Sequence, residues 1–349
     1  MLQSNCTFRA LVPLSSEAFS SSHKNLPFSP IFYSFRQEKA WLKIARKLNL
    51  ITNAYSAERK MRVCGPSSYL TNSSAFWVSA SSYFSPEELA RLVDRMPRLK
   101  WIYLQKTGVD GVNLDYLARR KIMLSNAGNL SSRRVAESAF ADILSGLKRL
   151  PEHLAMTRAR TWRSLVSKEF SQVVVLVIGA GGIAKELGTL CGGAGMQTIA
   201  LTRNPSGHRE DWAYFSEIRP LSALAAVIPK ADFIVLAVPL TEDTANLIDS
   251  HILSLMKVTA CLINVARGGL VDEIALCNSL RKGNLSAAYI DTPVKIPPSR
   301  FSILYRTPNL ILTHYSAANN SNALADAYMQ FSSGCIALVE NRDPPNRIV

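Results

Sequence analysis

The sequence predicts an α/β chain built on a doubly wound parallel sheet, and three observations predict it. From Val173 onward, near-continuous apolar strands alternate with helical patterns, as strands buried on both faces must. Straight after the first of them stands Gly179-Ala180-Gly181-Gly182-Ile183-Ala184. Further on, the apolar run Leu262-Ile263-Asn264-Val265-Ala266 stops at Arg267-Gly268-Gly269, followed by Leu270-Val271-Asp272-Glu273, an acidic helix start. At 349 residues, 48% hydrophobic and 19% charged, the chain is long enough for two domains with a sizeable core.

Residues 1–55 differ from the rest. They are Ser-rich, poor in acids, and end in a basic amphipathic stretch from Lys39 to Leu48. That composition suits an organelle transit segment, with a disordered extension as the alternative. Ala75–Ala80 reads as a strand, and Pro86–Val93 as a helix capped by Ser85. Strands follow at Trp101–Leu104 and Ile122–Leu124, then a helix of small and apolar residues at Val135–Leu147 and a more basic one at His153–Ser164. In the alternating region, strands are expected at Val173–Ile178, Thr198–Leu201, Phe233–Val238, Cys261–Asn264, Ala287–Ile290 and Leu310–Leu312. The helices between them fall at Ala184–Ala194, Pro220–Val227, Ala245–Leu247 with His251–Met256, and Glu273–Arg281.

Composition narrows the partners. The chain carries 40 Lys and Arg against 26 Asp and Glu, a net charge of +14. The basic residues are dispersed in short pairs without interleaved aromatics, so a solvated surface that attracts an anionic cofactor is favoured over nucleic acid. No apolar run approaches a bilayer span, so no membrane partner is expected. The six cysteines form no C-x-x-C pair and read as reduced, buried thiols. The histidines lie outside any ligand spacing, and no metal is expected.

The glycine loop carries the first chemistry. Gly179 makes the tight turn out of the strand, Gly181 lets backbone approach a pyrophosphate, and Ala184 takes the third position of the fingerprint. The phosphates would rest on the helix N-terminus at Gly182 and Ile183. The next strand ends in Thr202-Arg203-Asn204 where an NAD site wants an acid for the ribose hydroxyls. Arg203 suits a 2′-phosphate, so NADP(H) is favoured over NAD(H), unless Arg203 is merely a surface residue. Arg267, at a strand end beside two glycines, suits a small carboxylate.

These residues carry a resemblance. With Pro97–Ile102, Gly108-Val109-Asp110, Val135-Ala136-Glu137, Val235–Thr241 and Asn264–Glu273, the chain resembles the D-isomer-specific 2-hydroxyacid dehydrogenases from about Pro86 to its C-terminus. The resemblance implies a Rossmann cofactor domain, residues 157–312, inserted into a smaller flavodoxin-like α/β substrate domain, residues 56–156 plus 313–349. It implies hydride transfer between a nicotinamide cofactor and a small 2-oxo or 2-hydroxy acid such as glyoxylate or hydroxypyruvate. Gly108 and Val109 would offer N–H groups to the substrate carboxylate, and Arg267 would bind it and polarise the carbonyl. Val238, Pro239, Thr244, Val265, Ala266, Asp291 and Ser316 would line the cofactor. A homodimer formed chiefly through cofactor domains is implied as well.

The chain departs from the family at its proton donor. The family uses a histidine whose pKa a neighbouring glutamate raises. Here Ile296 takes the glutamate's place, and the usual Pro-His becomes His314-Tyr315. His314 could act from a displaced position, Tyr315 could donate through its phenol, or the protein could be a catalytically weak cofactor-binding sensor or scaffold. Glu137 is a candidate substitute carboxylate. A transit segment in residues 1–50 would place the protein in a mitochondrial or plastid matrix; without one it would be cytoplasmic.

Overall fold

The structure is a computed structural model. It describes residues 85–109, 111–205, 214–319 and 323–349, together with strand segments 8–12, 28–34, 52–55, 61–62 and 75–78. The chain divides into two compact units, one of residues 1–130 and 321–349, the other of residues 131–320. That division falls upstream of the 156/157 boundary implied by the resemblance. Helix α3 (Ser132–Leu147) falls within the second unit, where its apolar face is part of the core.

The first unit holds one seven-stranded sheet: β1 (Phe8–Val12), β2 (Phe28–Ser34), β3 (Thr52–Tyr55), β4 (Met61–Arg62), β5 (Ala75–Val78), β6 (Trp101–Leu104) and β7 (Met123–Asn126). Their order is β4-β3-β2-β1-β5-β6-β7, parallel except between β3 and β4. The run β2-β1-β5-β6-β7 is the flavodoxin-like order. Three segments of the N-terminal stretch are thus strands; the basic stretch from Lys39 to Leu48 lies outside the described residues.

Helix α1 (Pro86–Asp94) starts at a capping box in which Ser85 Oγ accepts from Glu88 N and Glu88 accepts from Ser85 N. It buries Leu89, Leu92 and Val93 against Phe76, Ile102 and Leu104. A short α2 (Leu114–Arg119) precedes β7. The C-terminal helix α9 (Ala323–Val339) was not anticipated from sequence. It sets Phe331 flat on Trp101 at 5.0 Å and near Trp77 at 5.2 Å.

The second unit holds β8 (Val174–Ile178), β9 (Gln197–Thr202), β10 (Glu217–Pro220), β11 (Phe233–Leu236), β12 (Cys261–Asn264), β13 (Ala287–Ile290) and β14 (Leu310–Leu312). The order is β10-β9-β8-β11-β12-β13-β14, all parallel. The period of two splits each strand between two cores. Val175, Val177, Phe233, Val235 and Ile263 face α3 (Ser132–Leu147) and α5 (Gly182–Gly193). Leu176, Ile178, Ile234, Leu236 and Leu262 face α6 (Leu224–Val227), α7 (Ser250–Leu255) and α8 (Glu273–Arg281). That two-faced burial is why these strands read as unbroken apolar runs.

Three helix expectations need correction. Pro220–Val227 is not one helix: residues 217–220 pair with β9 as an edge strand, and the helix starts only at Leu224. Ala245–Leu247 is not helical, because Asn246 N and Ile248 N donate to Gly269 O and Leu270 O instead. The basic helix is α4 (Leu150–Ala159) and stops five residues short of Ser164, at Arg160 in the left-handed region (φ 54°).

Candidate functional site

In parallel sheets of this kind ligands gather beyond the carboxyl ends of the strands, at the point where the strand order reverses. Here that point lies between β8, β9 and β11. A cavity of about 320 Å³ sits there, its lining including Gly179, Gly181, Thr202, Arg203, Asn204, Val238, Pro239 and Thr244. Gly179 has φ 127°, and a Cβ on it would stand 2.4 Å from Ala237 O, so no other residue fits that turn. A Cβ on Gly181 would meet nothing within 4 Å, which leaves open space over the start of α5. That helix has no side-chain cap and no acid in its first turn, so its leading N–H groups suit a phosphate. Thr244 is buried; its hydroxyl donates to Pro239 O at 2.8 Å and accepts from Thr241 N at 2.8 Å, which fixes the loop on the cavity's far side.

Among the described residues, no acidic side chain lines this cavity. Arg203 lies where an NAD site would place one, at the end of β9. The glycine turn and the α5 N-terminus therefore fit the pyrophosphate of a nicotinamide dinucleotide.

Arg267 follows β12 in a turn built by Asn264. The fully buried Asn264 accepts from Ala266 N at 3.1 Å and donates through Nδ2 to Arg267 O at 2.9 Å. Arg267 Nη1 donates to Ala266 O at 2.8 Å. Gly268 is forced: its Cβ would stand 2.3 Å from Val294 N. Val265 and Ala266 follow Asn264 at the end of β12. Their side chains are buried in opposite cores, so any cofactor contact would be through backbone.

Asp291 follows β13 and is buried. Rather than facing the cavity, its carboxylate holds the next loop, accepting from Thr313 Oγ1 at 2.7 Å, Ser316 N at 2.8 Å and Ala317 N at 3.2 Å. Tyr315 N also donates to Asp291 O at 2.8 Å. This loop carries His314 and Tyr315, both in the left-handed region with φ of 59° and 57°. Two successive non-glycine residues there cost roughly 1–2 kcal/mol each, offset by the anchor at Asp291. His314 and Ser316 are exposed and Tyr315 is half-buried. The register Leu236–Asn264–Ile290 and Ile290–Leu312 brings the Arg267 turn, Asp291 and the His314 loop onto neighbouring strand ends.

In the first unit, Gly108 and Val109 follow β6, with Val109 packed against that unit's core; Asp110 lies outside the described residues. Glu137 is exposed and paired with Arg133 at 2.9 Å. Among the described residues, no group of three or more His, Cys, Asp or Glu could hold a metal, and no helix is long and apolar enough to cross a membrane.

The family model for the D-isomer specific 2-hydroxyacid dehydrogenase NAD-binding domain matches residues 140–317. The chain belongs to the D-isomer specific 2-hydroxyacid dehydrogenases. It is 29% identical over 266 residues to a glyoxylate reductase of Thermococcus gammatolerans, covering 73% of this chain and 78% of the relative. It is 33% identical over 230 residues to an (S)-sulfolactate dehydrogenase of Chromohalobacter salexigens, covering 65% of this chain and 73% of the relative. A D-lactate dehydrogenase from Aquifex aeolicus, solved with NAD and lactic acid, shares the fold with a TM-score of 0.72 at 21% identity, over 88% of this chain and 95% of that one. This dehydrogenase is accordingly an oxidoreductase that transfers a hydride between a nicotinamide cofactor and a 2-hydroxy or 2-oxo acid.

Sequence reading of this dehydrogenase did not single out one buried acid. Asp142, on α3, is buried, and burial together with the Asp291 carboxylate pushes its pKa up to about 7. The signal was present: an aspartate stands inside an otherwise small and apolar helical face.

Proposed function

We propose that the protein reduces a small 2-oxo acid, glyoxylate or hydroxypyruvate, with NADPH. The observation that carries this reading is the Arg267 turn, built by Asn264 and set on a strand end beside the loop that Asp291 anchors. The bound nicotinamide would supply the hydride. Gly179, Gly181 and the α5 N-terminus would hold the pyrophosphate, and Arg203 the 2′-phosphate. Arg267 would grip the substrate carboxylate and polarise its carbonyl, with backbone N–H groups of Gly108 and Val109 taking part in the substrate site. His314 would deliver the proton to the nascent alkoxide, with Tyr315 next to it as the alternative donor. On this reading residues 131–320 form the cofactor domain and the remainder the substrate domain. A transit segment in residues 1–50 would direct the protein to a mitochondrial or plastid matrix; without it the protein would stay in the cytoplasm.

The test is steady-state oxidation of NADPH and of NADH with glyoxylate, hydroxypyruvate, pyruvate and phenylpyruvate. Turnover with a preference for NADPH is expected. Arg267→Ala should lower kcat/KM by about 10²–10³-fold while leaving cofactor binding intact. Ile296 favours a second reading, a cofactor-binding sensor of low activity, since it stands at the position where the family carries its glutamate. Tight cofactor binding without turnover on any of the four acids would decide for it.

The partner we propose is a second copy of the chain. Helix α4 buries no residue, Leu150 and Leu154 are exposed on it, and Trp162 and Val166 follow, 100% and 85% exposed. So much apolar surface on one segment marks an interface. Sedimentation is expected to give the mass of two chains, and Trp162→Asp to give one.

A further inference from the structure

The turn that carries Arg267 is held from three sides. Asn264 holds it from behind, through Ala266 N and Arg267 O. On the second side the 293–294 backbone lies so close that a Cβ on Gly268 would stand 2.3 Å from Val294 N. The third hold is the segment that follows β11. Asn246 N donates to Gly269 O at 2.8 Å, Ile248 N to Leu270 O at 2.9 Å, and Asp272 N returns a bond to Ile248 O at 3.0 Å. The Leu240 side chain completes it. A Cβ on Gly269 would stand 2.9 Å from Leu240 Cδ2 and 3.3 Å from Cδ1, so the isobutyl group covers the glycine itself.

The same segment is a wall of the dinucleotide cavity. Val238, Pro239, Thr241 and Thr244 are among the residues that line it, while Leu240, between Pro239 and Thr241, is turned to Gly269. Thr241 is extended, with φ −135°, and along an extended chain successive side chains point to opposite sides. Thr244 Oγ1 donates to Pro239 O and accepts from Thr241 N, both at 2.8 Å, which ties residues 239–244 into one closed loop. With 37% of its surface exposed, Leu240 adds little to the core. What its side chain does here is cover Gly269.

We propose that Leu240 is a positioning residue for Arg267, and that through Gly269 it couples the dinucleotide cavity to the arginine turn. A cofactor seated against Pro239 and Thr241 fixes the segment, and with it the leucine that bears on Gly269, two residues from Arg267. Close-packed contacts transmit such a displacement because neither side has room to give: Leu240 sits on Gly269, and the Val294 backbone stands against Gly268. The arginine is thereby held in place for a carboxylate when the cofactor is present. That consequence rests on the proposed role of Arg267; the coupling itself rests on the segment and the turn.

The experiment uses the full chain labelled with ¹⁵N-glycine, whose 17 glycines give a sparse amide spectrum. The probes are ADP-ribose and its 2′-phosphate, which keep the diphosphate of NAD and NADP without the nicotinamide. In the wild type, saturation with the probe that binds is expected to shift Gly179 and Gly181 in the cavity and also Gly268 and Gly269 in the turn. In Leu240→Ala the cavity pair should still shift, while the turn pair loses about half its displacement or more. Leu240→Met, which refills the space, should restore it. A wild type whose turn pair stays still overturns the coupling, and needs no variant to do so. A turn shift that persists in full in Leu240→Ala overturns it too, and so does loss of the cavity shifts in that variant, which would make the leucine a support of the cavity alone. Turnover separates the two proposals: where the wild type is active, Leu240→Ala should raise KM for the oxoacid about tenfold, with kcat and the KM for NADPH within about twofold. A KM for NADPH that rises as far as that for the acid overturns the positioning of Arg267. A wild type without turnover defeats the oxoacid-reductase reading while the glycine amides still decide the coupling.

Discussion

Thr292 stands between Asp291 and the Pro293–Val294 backbone against which Gly268 packs. Its hydroxyl is buried and has no hydrogen-bond partner, with 3% of the residue exposed. A buried polar group in that state costs about 1–3 kcal/mol, and valine has the same shape without it. Thr292→Val is therefore expected to stabilise the protein by about 1 kcal/mol. The measurement is the denaturant midpoint at unchanged slope; a lower midpoint would mean that the hydroxyl finds a partner. Asn264, equally buried, shows the opposite case: both ends of its amide are used, one on Ala266 and one on Arg267. A single satisfied amide fixes the turn of the candidate substrate-binding arginine.

At the scale of elements, packing overrides propensity most clearly in α9. Gly334 is a poor helix former, worth about 1 kcal/mol less than alanine in a helix interior. Yet a Cβ there would stand 2.3 Å from Trp101 Cη2, and Trp101 is stacked on Phe331 at 5.0 Å and cannot retreat. Gly334→Ala should lose about 1–3 kcal/mol net, read as a lower thermal midpoint; a rise would show that the tryptophan can move. The same competition explains what was legible in the sequence. Strands β12, β13 and β14 and helix α8 stand where the pattern placed them: β12 and β13 are buried on both faces, the half-buried β14 packs both its faces on apolar side chains, and α8 has Asp272 as its cap. Helix α9 was invisible, since its small and apolar residues show no polar stripe and its glycine serves tertiary contact. Strand β10 hid because it is short, charged and ends in Pro220, as an edge strand can. Residues 245–248 carried helical composition but pair with the chain at Gly269 and Leu270, far away in sequence. The glycine cavity was readable because its turn admits only glycine at 179. The burial of Asp142 was not, because a single chain pattern does not say which helix face meets the sheet.

Over the whole molecule, two buried aspartates of the second unit push stability in opposite directions as pH changes. Burial works to raise the Asp232 pKa, but bonds from Lys168 at 2.6 Å, Lys257 at 2.8 Å and Val174 N at 3.0 Å hold it below the usual carboxylate value. Its folded value is depressed, so its contribution is present above the unfolded value of about 3.9 and is lost as pH falls through the folded one. Asp142 has the reverse sign. Burial, then Asp291, push it up to about 7, so stability is complete below about 3.9 and drains away as pH rises toward and through the folded value. A shift from 3.8 to about 7 corresponds to at most about 4 kcal/mol above neutrality, reduced by whatever water reaches the Asp142 carboxyl. The two effects together put the stability maximum at about pH 4, above which Asp142 drains stability and below which Asp232 does. The thermal midpoint of the wild type should therefore fall between about pH 5 and about pH 8, while Asp142→Asn stays nearly level and exceeds it at the alkaline end. A level wild-type curve over that range would mean that Asp142 is ionised or solvated in the folded chain.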